Sequence, residues 1–447
     1  MMSPEAVAQP RPISGALGRL GRVLPAIPLR TVQGRITAAT GTIIRAVMPN
    51  VRVGELCHIT DATGLVLMAE VVGLAGREAL LTPIGDLRGV SGQADVRPTG
   101  LSRETPVGDR LLGRVVDAMG QPLDGRGPIG PGPMRPLHGE PPAALSRTLV
   151  EHAMPLGLRV MDGLLTVGEG QRIGIYGEAG GGKSTLVSQI VRGAAADVGV
   201  IALVGERGRE VREFVERSLG PEGLARSVVV VATSDRPAPE RLSAALVATS
   251  IAEEFRDQGK KVLLFVDNVT RLARAGREIG LSAGEPPTRR GFPPSVFAML
   301  PQLMERAGPG VRGSITAFYA VLVEGDGTGD PIAEETRGIL DGHVVLSRSL
   351  AAANHYPAID VLASRSRVMS AVAAPIHLRL AGRIRELMAR HAEVEFLIQV
   401  GEYKPGADPL TDEAVQKIAA LRAFLRQATD ETTPYEETVR WMTRLAG

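Results

Sequence analysis

Arg172-Ile173-Gly174-Ile175-Tyr176-Gly177-Glu178-Ala179-Gly180-Gly181-Gly182-Lys183-Ser184-Thr185 is the stretch on which the fold turns. After Arg172, residues Ile173 to Tyr176 form a short apolar run of strand character. Residues Gly177 to Ser184 then fit G-x-x-x-x-G-K-[ST], and the residues from Ser184 to Ala195 form helices readily. Strand, glycine loop and helix in that order make a phosphate cradle. The glycines let the loop curl its N–H groups around phosphate oxygens, and the helix N-terminus favours negative charge. In such a loop Lys183 reaches the β and γ phosphates, Ser184 holds Mg²⁺, and Thr185 follows within the same turn.

A cradle of this kind needs a carboxylate near the metal. Val262-Leu263-Leu264-Phe265-Val266-Asp267 supplies one, because an Asp that closes a buried apolar run sits at the C-terminal edge of a parallel sheet, where open α/β folds bind ligands. This reading expects the Asp267 strand beside the cradle strand. Hydrolysis also requires a base for the attacking water. The strand Val198 to Val204 runs into Gly205-Glu206-Arg207, which makes Glu206 the candidate base.

Outward from this centre, strand-like and helix-like runs alternate from Arg172 to Leu346, the signature of a parallel sheet covered by helices. The expected strands are Arg172 to Tyr176, Val198 to Val204, Ser227 to Ala232, Val262 to Val266, Ser314 to Val323 and His343 to Leu346. Before residue 98 the text changes to short β runs with turns between them, such as Thr42 to Val47, Gly64 to Val72 and Ala79 to Thr82, as in a small barrel. Residues 98 to 150 are rich in Gly and Pro and read as a connector wrapped over the next domain. Beyond Pro375 the strands stop, and Leu378 to His391 and Thr411 to Ala428 read as amphipathic helices. The expected division is a flexible segment 1–33, a β-barrel 34–100, a nucleotide-binding core 101–375 and a helical domain 376–447.

Composition narrows the function. Aromatics are 3% of the chain and the net charge is +2, which argues against a nucleic-acid binder that works by stacking or by a polycationic field. The single cysteine, Cys57, permits no internal disulfide and reads as a small buried hydrophobe. No apolar run is long enough to span a bilayer, and the N-terminus lacks a signal-peptide pattern. Arg11, Arg19, Arg22 and Arg30 alternate there with Leu17, Leu20, Val23, Leu24, Ile27 and Leu29. That is either a flexible tail or a surface for anionic lipid or a partner.

Several further motifs carry a family likeness. They are Gly205-Glu206-Arg207-Gly208-Arg209-Glu210, Arg277-Glu278-Ile279-Gly280, Ala283-Gly284-Glu285-Pro286-Pro287, Gly291-Phe292-Pro293-Pro294-Ser295 and Tyr356-Pro357-Ala358-Ile359-Asp360 through Ser366. Together they resemble the type III secretion ATPases, relatives of the catalytic subunits of rotary ATP synthases, over about residues 34 to 440. The resemblance implies a RecA-like α/β core behind a barrel and ahead of a helical domain. It also implies a cytoplasmic homohexameric ring, held peripherally at the inner membrane, that hydrolyses ATP to release cargo from chaperones, unfold it and feed it to an export gate.

Residue by residue, the resemblance makes Glu206 the activator of water and places Arg207 near the γ phosphate. It assigns Arg367 as the arginine finger offered to the neighbouring subunit, and Tyr356 as the ring that packs the adenine. Arg365 is a second finger candidate two residues away. The loop from Gly280 to Gly291 resembles the segment facing a central stalk, and a peripheral stator or regulator belongs to the same apparatus. Arg52-Val53-Gly54-Glu55-Leu56-Cys57 favours the injectisome branch over the flagellar export ATPase. Retention of Glu206 argues against a non-catalytic rotary subunit, and the scarcity of aromatics argues against a ring RNA translocase.

Overall fold

The computed structural model describes residues 33–446, apart from 62, 63, 65, 179, 324–326, 328 and 407. The basic and apolar N-terminal stretch, and with it the lipid or partner reading, therefore lies outside the described residues.

Six strands close the barrel in the order β1-β2-β5-β4-β3-β6. They are β1 (Gly34–Thr40), β2 (Ile43–Val47), β3 (Glu55–Thr60), β4 (Val66–Ala75), β5 (Glu78–Ile84) and β6 (Asp95–Ser102). Period-two alternation sends Cys57 and Ile59 inward while His58 faces out, and the interior fills with Ile44, Val71, Leu81 and Val96. Cys57 is fully buried, and burial pushes its thiol up to about 12, so it packs as a hydrophobe.

The connector holds more structure than its glycines and prolines suggest. β7 (Glu104–Pro106) pairs with β9 (Met134–Pro136), and β8 (Val115–Asp117) joins the central sheet beside β12 (Ser227–Ala232). Buried Val115 and Val116 anchor β8, although a three-residue strand among turn residues shows no periodicity in the sequence.

The remaining strands of that sheet are β10 (Arg172–Gly177), β11 (Val198–Val204), β13 (Lys261–Asp267), β15 (Ser314–Leu322), β16 (Gly342–Leu346) and β17 (Ile359–Ser366). The two-residue β14 (Gly308–Pro309) pairs with β15 from the side. The order is β17-β16-β10-β15-β13-β11-β12-β8, parallel except for β17. β17 is an element that the sequence reading did not separate from its motif.

The inner strands β11, β12 and β15 are buried on both faces, as a sheet covered on both sides requires. Val200, Ala202 and Val204 of β11 face one layer, which contains the helices Ala238–Asp257, Val269–Ala283 and Pro294–Met304. Ile201 and Leu203 face the other, where the helix Lys183–Gly193 packs. That second layer continues into the C-terminal helices Pro375–Gln399, Pro409–Leu425 and Tyr435–Ala446, which bring in Leu380, Ile384, Phe424 and Met442. Asp408 caps the second of these helices, accepting hydrogen bonds from the backbone N–H groups of Leu410 and Thr411.

Candidate active site

At the end of β10 the chain turns tightly, and the Gly181 N–H donates to the Glu178 carbonyl at 3.1 Å. Gly182, with φ of +86°, occupies the cap position of the helix Lys183–Gly193 and supplies no side-chain cap. A Cβ on Gly182 would lie 3.1 Å from Tyr356 Cε1, so that position is closed to larger residues by backbone and by neighbour. The first helical hydrogen bond runs from Leu186 N–H to the Gly182 carbonyl, which leaves the N–H groups of Lys183, Ser184 and Thr185 without an intrahelical acceptor. Those donors and the helix dipole make an anion cradle. Gly177, Gly180 and Gly181 belong to the same turn, Glu178 Oε2 lies 3.2 Å from Arg348 Nη1, and Ala179 is outside the described residues.

Two carboxylates converge on Lys183. Its ammonium donates to Asp267 Oδ1 and stands 3.7 Å from Glu206 Oε1. The sequence reading placed the Asp267 strand beside the cradle strand; the sheet puts β15 between β10 and β13 instead. The long lysine side chain closes that gap.

Glu206 is buried, at 8% exposure, at the end of β11. Asn268 Nδ2 donates to its Oε1 at 3.0 Å, and Arg271 Nη1 lies 3.3 Å from its Oε2. Burial raises the Glu206 pKa, and the Asp267 charge adds to the rise against the opposing pull of Lys183 and Arg271. Arg207 is exposed and pairs with Glu210 at 3.0 Å on the rim of the same cleft.

Asn268 and Arg271 were not singled out in the sequence. Their signal was spacing: Asn268 follows Asp267 directly and caps the helix Val269–Ala283 by accepting from Arg271 N–H, so Arg271 returns over the strand end one turn later.

The cleft around these groups encloses about 720 Å³, and Ser184, Thr185, Asp267, Leu322 and Tyr356 line it. Ser184 and Asp267 offer it a hydroxyl and a carboxylate. Among the described residues no group of three or more His, Cys, Asp or Glu forms an all-protein metal cage. This sparse hard-oxygen donor set fits Mg²⁺, which takes one or two protein oxygens and completes its shell with phosphate and water.

The cleft wall beyond Tyr356 comes from the C-terminal region. Gln427 N–H donates to the Tyr356 carbonyl at 2.8 Å, Gln189 Nε2 to the Ala428 carbonyl at 3.0 Å and Arg192 Nη2 to the Thr429 carbonyl at 2.6 Å. Thr429 reaches the cleft as a result.

The structure does not bring Arg365 or Arg367 to this cleft. β17 runs antiparallel to β16, with Ile359 opposite Leu346 at the cradle end and Ser366 opposite Gly342 at the far end. Four strand steps separate those ends, roughly 13 Å at the usual rise. Arg367 is held there by its own N–H to the Asp341 carbonyl at 2.9 Å, and by its guanidinium to the Arg337 carbonyl at 3.1 Å.

Known proteins share this architecture. Residues 36–100 match the beta-barrel domain of the ATP synthase alpha/beta family, and residues 157–366 match its nucleotide-binding domain. Residues 373–444 match the T3SS EscN ATPase C-terminal domain. The chain is 63% identical to a type 3 secretion system ATPase of Sinorhizobium fredii, covering 97% of this chain and 96% of that one. It is 49% identical to a flagellum-specific ATP synthase of Bacillus subtilis, covering 93% and 95%. Among solved structures it is similar to the assembled ATPase EscN of the enteropathogenic E. coli type III secretion system, with a TM-score of 0.88, 47% identity and coverage of 93% of this chain and 100% of that one. EscN in complex with its central stalk EscO gives 0.85 at 46% identity, again covering 93% and 100%. With the barrel, the nucleotide-binding domain and the helical C-terminus all matched in order, the chain belongs to the type 3 secretion system ATPases.

Proposed function

We propose that this chain hydrolyses ATP at the seams of a homohexameric ring and couples that reaction to type III protein export. The observation that carries the reading is the split site: cradle, base and metal-side carboxylate share one cleft, while the arginine expected to complete it is fixed at the opposite edge of the sheet. A side chain so placed serves a neighbour's cleft. The assembled EscN structures support a ring of this kind.

In this reading the loop Gly177 to Ser184 binds the phosphates and Lys183 neutralises the β and γ oxygens. Ser184 and Asp267 would hold Mg²⁺, which would supply charge neutralisation to the phosphates. Glu206 accepts a proton from the attacking water, and Asn268 and Arg271 orient its carboxylate. Arg207 faces the γ phosphate, and Arg367 of the adjoining protomer neutralises the charge that grows as the terminal P–O bond breaks. Tyr356 packs the adenine against the wall formed by Thr429.

The domain division at about residues 100 and 375 belongs to the same proposal. So do the partners: a central stalk at the loop 280–291, a peripheral stator, chaperone–effector complexes and the export gate at the helices 376–447. The setting is the cytoplasmic face of the inner membrane; no helix among the described residues is long and apolar enough to cross a membrane. The greater identity to the Sinorhizobium protein than to the flagellar relative favours the injectisome branch.

Specific activity measured against protein concentration tests the ring. It rises as protomers assemble; a strictly monomeric sample with full, concentration-independent turnover overturns the reading.

A further inference from the structure

Next to the nucleotide cleft an open surface pocket of about 320 Å³ is lined by Gly205, Arg207, Ser234, Arg241, Arg271 and Arg274, of which Arg207, Ser234 and Arg274 are exposed. Arg207 and Arg271 line both this cavity and the nucleotide cleft, so the two spaces share a wall of guanidinium groups. No carboxylate belongs to the lining. Arg207, Arg271 and Arg241 each have an acidic partner outside it, Glu210 at 3.0 Å, Glu206 at 3.3 Å and Glu278 at 2.8 Å. Arg274 has no ion pair or hydrogen bond among the described residues. It stands one turn after Arg271 on the helix Val269–Ala283, which brings both side chains to one face. Gly205 opens the floor: its φ is +70°, and a Cβ there would lie 2.9 Å from Arg271 Cδ.

A pocket lined by four guanidiniums, one of them exposed and without an ionic partner among the described residues, receives an anion. The small anion generated beside it is the product of hydrolysis. We infer that the cavity is a holding site for inorganic phosphate on its way out of the active site, reached across the Arg207–Arg271 wall and held at the far side by Arg241 and Arg274. The inference rests on the hydrolytic reading. In that reaction water oxygen bonds to the γ phosphorus, the bond to the β-phosphate oxygen breaks, and the water proton passes by way of Glu206. Phosphate then moves from the cradle toward the free arginine while ADP remains on the P-loop. The fixed positive field on one side gives the product a direction.

Arg274→Ala in the full-length, ring-forming chain tests this, with Arg274→Lys as the conservative variant. Single-turnover quench kinetics report bond cleavage, a fluorescent phosphate sensor reports release, and added inorganic phosphate probes the site as an inhibitor. Cleavage in Arg274→Ala is expected to stay at the wild-type rate while release slows about fivefold and the inhibitory constant for phosphate rises by a similar factor; Arg274→Lys recovers most of both. Unchanged release and unchanged phosphate inhibition overturn the inference. Loss of ring assembly by sedimentation, with phosphate handling intact, also overturns it and assigns the arginine to a carboxylate on the adjoining protomer. Wild-type hydrolysis in a Glu206→Gln chain would instead defeat the choice of base and leave the phosphate inhibition data standing.

Discussion

At the residue scale the decisive group is Glu206, because its carboxyl binds a proton more tightly than a solvated glutamate. Burial is the main cause and the Asp267 charge the second, so the acidic limb of the rate profile lies above the ordinary carboxylate range. In the proposed mechanism only the ionised carboxylate accepts the water proton, so turnover is expected to fall as pH drops through this raised value. The pH profile of kcat/KM checks it; a profile flat down to the usual glutamate range contradicts it. Glu206→Gln is expected to lower kcat by about 10²–10⁴ while nucleotide binding, followed with a fluorescent ATP analogue, persists. Lys183→Ala loses both. Lys183, Ser184, Asp267 and Glu206 were legible in the sequence because loop and strand-end patterns fix their places. Asn268 and Arg271 were not, since an amide and a helical arginine look like ordinary surface residues until the strand end and the helix are seen to turn back on each other.

The short helix Arg159–Leu164 shows what a single element contributes. Arg159 is buried beneath the C-terminal helices, where its backbone N–H donates to Gln427 Oε1 at 2.9 Å and its guanidinium to the Phe424 carbonyl at 2.8 Å and Thr433 Oγ1 at 3.0 Å. The guanidinium also lies 4.8 Å from the Trp441 ring centroid. Arg159→Ala strands the Phe424 carbonyl and the Thr433 hydroxyl and is expected to cost about 3 kcal/mol in a denaturant melt, the C-terminal helices loosening first. Three residues on, Asp162 accepts from Leu156 and Gly157 N–H, yet burial pushes its carboxyl up to about 7. A raised carboxyl stabilises the fold fully below the ordinary carboxylate range and loses that contribution as pH rises through the raised value. Unfolding free energy should therefore decline between about pH 4 and about pH 7, and Asp162→Asn should flatten the decline. Long strands such as Val198–Val204 and Ser227–Ala232 were readable to the residue because nearly every position is apolar and all are buried. β8 and β17 were not: one is three residues long among glycines, and the other alternates Asp360, Arg365 and small residues on an edge where only one face is covered.

For the whole molecule, the proposed division of labour between the two ends of the parallel strands predicts an enzyme that requires its own copies. The cradle, Asp267 and Glu206 lie at the C-terminal edge of the parallel strands, and Arg367 is fastened at the other. The C-terminal region is tied to the nucleotide wall through Gln427, Ala428 and Thr429. A chain that carries everything except its finger should be silent alone and active in company. Mixing two inactive variants, Glu206→Gln and Arg367→Ala, measures this directly. Each preparation by itself is expected to hydrolyse ATP at a small fraction of the wild-type rate, and the mixture to recover activity toward about a quarter of the seams, where an intact base meets an intact finger. A mixture that assembles into rings yet stays silent, or an Arg367→Ala ring that turns over at the wild-type rate, contradicts catalysis between protomers.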